Sequence, residues 1–332
     1  MENELTEQNG IHFENRLDLT ELSNDMNAVR EELRKVIVGQ EQMIEYLLVA
    51  ILANGHVIIE GVPGVAKTMA IKLLARTIDV KFNRIQFTPD LMPSDILGTS
   101  VFNLKKSEFE FRPGPIFSNL VLIDEINRAP AKTQAALFEV MDERQVTIDG
   151  KTYNMEEPFL VMATQNPIEQ EGTYRLPEAQ LDRFMFKIVI NYPSLEEEVE
   201  IVLREHKAIN GDKTEDVKAV LKAKNILQYR ELVRRIIVEP KIMEFIAGIV
   251  YGTRQNPFLY LGASPRASLA ILNSAKGFAA LRGRDFVTPE DVKDAAVVVL
   301  QHRVIVTPEK EMEGVRADEI VKQILETVEV PR

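Results

Sequence analysis

Between residues 56 and 75 the chain passes from an apolar run, His56-Val57-Ile58-Ile59-Glu60, through Gly61-Val62-Pro63-Gly64-Val65-Ala66-Lys67-Thr68, into a helical pattern, Met69-Ala70-Ile71-Lys72-Leu73-Leu74-Ala75. Strand, glycine-bearing loop and helix in that order are what a phosphate-binding loop requires. Such a loop must aim several backbone N–H groups inward, and glycine permits the turns that do so. The helix N-terminus adds free N–H donors and a partial positive charge. In this reading Lys67 reaches the β- and γ-phosphates of ATP and the Thr68 hydroxyl ligates Mg2+. The general pattern has glycine before the lysine, where this chain has Ala66. Alanine keeps its N–H, so the cradle survives if Ala66 lies close to helical φ/ψ. A chance strand–turn–helix with a surface lysine is the competing explanation. It must produce the spacing and both flanking elements by coincidence.

A second anchor is Leu120-Val121-Leu122-Ile123-Asp124-Glu125. An unbroken apolar run predicts a strand buried on both faces, as in parallel sheets. Open α/β sheets place ligands at the carboxyl ends of their strands, where Asp124 and Glu125 fall. Asp124 can hold the magnesium hydration shell, and Glu125 can act as base toward a water. A solvated strand end would also carry such a pair; the phosphate loop about sixty residues earlier favours the catalytic reading. Phe159 to Thr164 reads as a further buried strand, followed by Gln165-Asn166-Pro167. The Asn166 amide then leaves the same sheet edge and can orient a water, although asparagine before proline also suits a simple turn.

The rest of the chain falls around these anchors. Residues 1–17 are polar and expected to fray. Helical patterns run from Leu22 to Val36 and from Met43 to Ile51, separated by Gly39. Arg84 to Thr88 reads as a strand, and 99–112 and 146–153 as hairpins, the second turning on Asp149-Gly150. Leu176 to Phe184 is a short helix and Phe186 to Ile190 a strand. After Pro193 the pattern becomes helical: Leu195 to Ile209, Asn225 to Val233, Pro240 to Thr253, Ser264 to Leu281, Pro289 to Gln301 and Ala317 to Val328. The expected fold class is therefore α/β: a phosphate-loop core with a parallel sheet over 18–193, then an all-helical domain over 194–332.

Composition removes some chemistry. With no cysteine among 332 residues, disulfides, thiolate zinc sites and cysteine nucleophiles are excluded. Its formal net charge of −11 argues against a surface that coats nucleic acid. The acidic N-terminus, Met1-Glu2-Asn3-Glu4, is no secretory signal, and Leu47 to Ala53 is too short to span a bilayer, so a cytoplasmic protein without a membrane span is expected. His12, His56, His206 and His302 lack metal-ligand spacing.

Taken together, Gly61 to Thr68, Val121-Leu-Ile-Asp-Glu-Ile-Asn-Arg-Ala-Pro130, Ala163-Thr-Gln-Asn-Pro167 and Leu176-Pro-Glu-Ala-Gln-Leu-Asp-Arg-Phe184 resemble the MoxR-type AAA+ ATPases. In that family alanine is usual at the Ala66 position. The resemblance implies that Val38, Gly39 and Gln40 border the adenine, that Asn166 is the sensor-1 residue and Arg266 the sensor-2 residue. It further implies that Arg183 is an arginine finger acting on a neighbouring subunit's nucleotide. Arg175, eight residues earlier where the family usually has proline, is the alternative. The hairpins match the family's helix-2 and pre-sensor-1 inserts, which face a central pore. A homo-oligomeric ring, hexameric in type, and protein clients with von Willebrand factor A domains are implied as well.

Three function classes follow. The first is a ring ATPase that remodels, assembles or matures protein clients. The second is a nucleic-acid motor or loader with the same engine, disfavoured by charge and by the lack of a helix-turn-helix, zinc or aromatic–basic cluster. The third is a nucleotide-dependent scaffold, disfavoured because a scaffold needs neither Glu125 as base nor Asn166 and Arg183 around it.

Overall fold

The structure, a computed structural model, describes residues 16–331 except 63, 167–173, 175 and 208–212. Pro63 and Arg175 therefore lie outside the described residues. The chain opens with two helices, α1 (Thr20–Arg34) and α2 (Glu41–Leu52). Gly39 and Gln40 between them both have positive φ, 65° and 56°, which ends the first helical path and starts the second. There follow β1 (Val57–Gly61), α3 (Lys67–Ile78), β2 (Phe82–Gln86) and a short α4 (Pro93–Leu97). The first hairpin is Gly98–Asn103 and Glu108–Pro113 (β3, β4); then come β5 (Leu120–Asp124) and α5 (Ala131–Glu143). The second hairpin is Gln145–Ile148 and Lys151–Asn154 (β6, β7), ahead of β8 (Leu160–Gln165), α6 (Glu178–Leu181) and β9 (Phe186–Ile190). Asp149 and Gly150, at φ 51° and 74°, make the tight turn their sequence requires.

Five strands form one parallel sheet in the order β2-β5-β8-β1-β9. Period-two alternation divides its side chains between two cores. Val57, Ile59, Leu120, Leu122, Leu160 and Met162 enter one, while Ile58, Val121, Ile123, Val161 and Ala163 enter the other. The second core is closed by α4 and α5. The helices after β9 are α7 (Leu195–Lys207), α8 (Ala223–Arg234), α9 (Pro240–Gln255), α10 (Pro265–Leu281), α11 (Pro289–Leu300), α12 (Pro308–Met312) and α13 (Ala317–Thr327). The first core is closed by α1, α2 and α3 and by α8, α9, α10, α11 and α13. Phe245, Ile249, Ile271 and Phe278 are buried in it, so that stripe is packing.

Local departures from expectation have local causes. Sheet pairing sets β2 two residues early, because Phe82 to Gln86 registers with Leu120 to Asp124. The helical region also holds a two-stranded ribbon, Leu259–Leu261 and Ile305–Val306 (β10, β11), too short to carry a periodic signal. Among the described residues no helix is long and apolar enough to cross a membrane.

Candidate functional site

β1, β5 and β8 are adjacent and parallel. Their carboxyl ends therefore deliver the phosphate loop, Asp124-Glu125 and Gln165-Asn166 to one sheet edge. A cleft of about 740 Å³ opens there, lined by Gly64, Lys67, Thr68, Asp124, Glu125 and Asn166 among others. Gly61 ends β1, Val65 is buried, and Val62 packs against the core below the cleft. Gly64 takes φ +87°, a conformation that suits glycine.

Ala66 is a correction. It is not near helical φ/ψ; it caps α3 in the left-handed region, at φ 59° and ψ 18°. This explains why the general pattern prefers glycine there, since a Cβ in that conformation costs about 1 kcal/mol. The turn still sends the chain straight into α3, whose first residues are Lys67 and Thr68. The Lys67 ammonium donates to the Gly61 carbonyl, lying back along the loop it would serve.

Asp124 is the hub. It is buried and accepts from Thr68 Oγ1 at 3.2 Å, from Thr164 Oγ1 at 2.9 Å and from Arg84 Nε at 2.5 Å. Thr164 Oγ1 in turn accepts the Glu125 N–H at 3.1 Å. Glu125 leaves the strand with φ 56° and ψ 52°, a strained turn for a residue with a Cβ. That turn swings its carboxylate off the sheet. There Oε2 accepts from Gln86 Nε2 and Arg128 Nε, each at 2.9 Å. Asn166 is buried at the end of β8.

Arg84, Gln86, Arg128 and Thr164 were not singled out by the sequence reading. The signal for Arg84 and Gln86 exists only once β2 is known to lie beside β5. Thr164 was legible as the polar terminus of an apolar strand.

The remaining candidates sit apart from this cleft. Gln40 lines a separate recess of about 230 Å³ with Tyr46, Ile188, Asn191 and Tyr192, and its Nε2 donates to the Asn191 carbonyl at 3.3 Å. Val38 and Gly39 precede it. A Cβ on Gly39 would meet only the flexible end of the Glu197 side chain, so its positive φ is what favours glycine there. Arg183 and Arg266 are not among the cleft's lining residues. Arg183 Nε pairs with Asp142 of its own chain at 2.5 Å, and its guanidinium lies over the Phe138 ring. Arg266 is exposed in the first turn of α10.

Beside Arg183, Asp182 makes a junction between the α/β core and the helical region. Its carboxylate accepts from Arg303 Nε at 2.7 Å and from Ser264 Oγ, at the α10 N-cap, at 3.3 Å. Arg303 is almost fully buried and also donates to the Phe184 and Met185 carbonyls.

Residues 56–186 match the family described as "ATPase family associated with various cellular activities (AAA)", and residues 251–324 match an AAA lid domain. The chain is 46% identical to the protein YeaC of Bacillus subtilis, over 91% of this chain and 93% of that one. It is 45% identical to Chaperone MoxR1 of Mycobacterium tuberculosis, over 91% of this chain and 81% of that one. Protein MoxR of Methylorubrum extorquens is 30% identical over 94% and 97%. A crystal structure from Cytophaga hutchinsonii, described as a candidate ATPase, superposes with a TM-score of 0.87 at 42% identity, covering 95% of this chain and 97% of that one.

Proposed function

Because this chain belongs to the MoxR-type AAA+ ATPases, we propose that it is a ring-forming enzyme that hydrolyses ATP to remodel, assemble or mature protein clients. The observation that carries this reading is the bonded line Thr68–Asp124–Thr164–Glu125 beside the phosphate loop. It holds a magnesium ligand pair and a base at fixed separation on one sheet edge.

The residues fit ATP and Mg2+. Gly64, Ala66 and the N–H groups at the start of α3 suit phosphate oxygens, with Lys67 adding a positive charge. Among the described residues no group of three or more His, Asp or Glu side chains could hold a metal. Mg2+ would therefore depend on the Thr68 hydroxyl, Asp124 and phosphate oxygens, the arrangement this small cation favours. When bound, Mg2+ and ATP supply a phosphoanhydride whose terminal phosphorus is open to a water. Glu125 accepts a proton from that water, and Asn166 orients it. Arg84 holds the Asp124 carboxylate in place, and Gln86 and Arg128 hold Glu125 from turning away. Gln40 and its neighbours take the adenine in the recess beside α2. Arg183 reaches across to the nucleotide of an adjoining subunit in a hexamer, exchanging Asp142 for the phosphate charge, and Arg266 senses the nucleotide from α10.

On this reading 18–193 is the nucleotide domain, 194–332 the lid, and the protein works in the cytoplasm. The two hairpins are the levers that meet the client. Ser100 Oγ donates to Asp149, and Phe111 stacks on Tyr153 at 4.3 Å, so the hairpins are joined. Phe102 and Phe109 pair at 5.2 Å but remain largely exposed, which suits gripping a polypeptide. Clients with von Willebrand factor A domains are the class the family suggests.

The test is Mg2+-dependent ATPase activity measured with such a domain, with DNA and with RNA, at two salt concentrations. Stimulation by the protein domain is expected. Stimulation by nucleic acid alone, falling steeply with salt, would replace this reading with that of a nucleic-acid motor.

A further inference from the structure

Below the sheet, at the amino ends of β1 and β9 and so opposite the nucleotide cleft, lies a second cavity of about 310 Å³. Asn54 follows α2 on one wall and Met185 precedes β9 on another; Arg230 and Arg234 reach in from α8, and Asn273 and Lys276 from α10. Three of its lining residues are cationic and none is acidic.

Arg230 is the unusual member. It is 4% exposed, and its Nε donates to the Ile51 carbonyl at 2.9 Å. Its Nη1 and Nη2 are buried with no hydrogen-bond partner among the described residues, and so is Asn54 Oδ1. A buried guanidinium keeps its charge at a heavy desolvation cost unless an anion meets its terminal nitrogens. Among the described residues Lys276 Nζ donates once, to the Arg234 carbonyl at 2.8 Å, which leaves two hydrogens for a ligand. Arg144 adds a fourth cation through its bond to the Asn54 carbonyl at 3.2 Å. Two exposed carboxylates stand outside the lining and pair with the outer cations, Glu157 with Arg144 at 3.5 Å and Glu231 with Arg234 at 2.7 Å, and neither reaches Arg230 Nη1 or Nη2. Burial, reinforced by Arg144, brings the Arg230 guanidinium down to about 10, as expected where positive charge lacks a counterion.

We propose that this cavity binds a phosphate group, held by the forked guanidiniums of Arg230 and Arg234 and the ammonium of Lys276. Planar forks suit tetrahedral oxyanions, and four cations, Arg144, Arg230, Arg234 and Lys276, against two carboxylates, Glu157 and Glu231, leave an excess of positive charge that favours a dianion over a monoanion. The occupant would tie α8 and α10 to the floor of the sheet, far from the phosphate loop.

The nucleotide cleft also accepts phosphate, so the experiment uses full-length Lys67→Ala protein. Inorganic phosphate and glycerol 3-phosphate are titrated at constant ionic strength, reading heat and melting temperature. Saturable binding is expected, tighter for glycerol 3-phosphate if the natural ligand is esterified and tighter for inorganic phosphate if it is free. Adding Lys276→Glu or Arg234→Glu, both at the rim, should weaken it at least tenfold without changing the ligand-free melting temperature. Arg230→Met should abolish binding while the ligand-free protein melts no lower, because an unpaired buried charge has been removed. Absence of phosphate binding overturns the proposal, and so does undiminished binding in Lys276→Glu. Loss of oligomer in Lys276→Glu with no phosphate effect overturns it too, assigning the cavity to a neighbouring chain's carboxylate.

Discussion

Glu125→Gln separates binding from chemistry, and the structure sets what each should do. Glutamine has the shape of glutamate and lacks the basic oxygen pair. Both contacts of Glu125, from Gln86 and from Arg128, converge on Oε2 at 2.9 Å, and the amide oxygen of glutamine can accept both. The side chain therefore stays where it is. The lost charge weakens only a half-exposed pair with Arg128, worth under about 1 kcal/mol after solvent screening. Nothing in the phosphate loop is touched, so the affinity for ATP should stay within a few-fold. A water that loses its proton acceptor should react roughly 10²–10⁴ times more slowly. That corresponds to about 3–5 kcal/mol on the barrier, well beyond any effect on the fold. Displacement of a fluorescent nucleotide measures the affinity, and single-turnover phosphate release measures the rate. Turnover within tenfold of the parent would refute Glu125 as base. A tenfold loss of nucleotide affinity would show that the charge works in binding instead.

Three other perturbations bear on separate parts of the argument. Arg183→Ala should lower turnover by about 10³–10⁵, the scale of an arginine finger; mixing it with Lys67→Ala protein should restore some activity, and mixed rings as inactive as both parents would exclude action in trans. Lys105→Ala with Lys106→Ala removes two charges at the exposed tip of the first hairpin, including the pair of Lys106 with Glu110. Basal ATPase should stay within a few-fold while stimulation by a client is lost, and an intact client response would end the lever reading. His56 is buried, accepts the Val161 N–H at 2.9 Å and faces the Met141 carbonyl at 3.2 Å. Burial, with Arg144 adding to it, lowers its pKa to about 4. The unfolded chain binds this proton from about pH 6.5 downward while the folded chain does not, so stability falls as pH falls through that window, by about 2 kcal/mol at pH 5. Urea titrations at pH 7 and pH 5 should show a smaller pH loss in His56→Gln, and parallel losses in both proteins would refute the assignment.

The features legible in the sequence are those set by neighbours along the chain. β5 and β8 were readable because strands buried on both faces leave long apolar runs, β9 because an edge strand alternates buried and open positions, and the Asp149-Gly150 turn because only a few dipeptides tolerate it. α4 was hidden because Pro93-Ser94-Asp95 signals a turn as strongly as a helix start. Thr68, Asp124 and Glu125 could be placed at the site because strand ends were known. The partners Arg84 and Gln86 required the order of strands in the sheet, which no local pattern encodes. Ala66 required the path of the loop as a whole, which overrode alanine's own preference for helical φ/ψ. Arg230 shows the same limit from the other side: on α8 it reads as one more solvated cation, and only packing against α2 and α10 makes it a buried one.

The junction at Asp182 gives the two arginines apart from the cleft a common mechanical fate. One carboxylate anchors the backbone that carries Arg183 and, through Ser264, the turn that carries Arg266; Arg303 clamps the Asp182 side through its carboxylate and its carbonyl. Neither arginine can travel far without dragging the other. If Arg183 answers to the nucleotide next door and Arg266 to the nucleotide at home, a single rigid knuckle then reports each occupancy to the other. Thermodynamic reciprocity requires the message to run equally well in both directions. If the proposed ring forms, cutting the clamp with Asp182→Asn should leave each site chemically intact and lower the cooperativity of ATP hydrolysis; an unchanged Hill coefficient would refute the coupling.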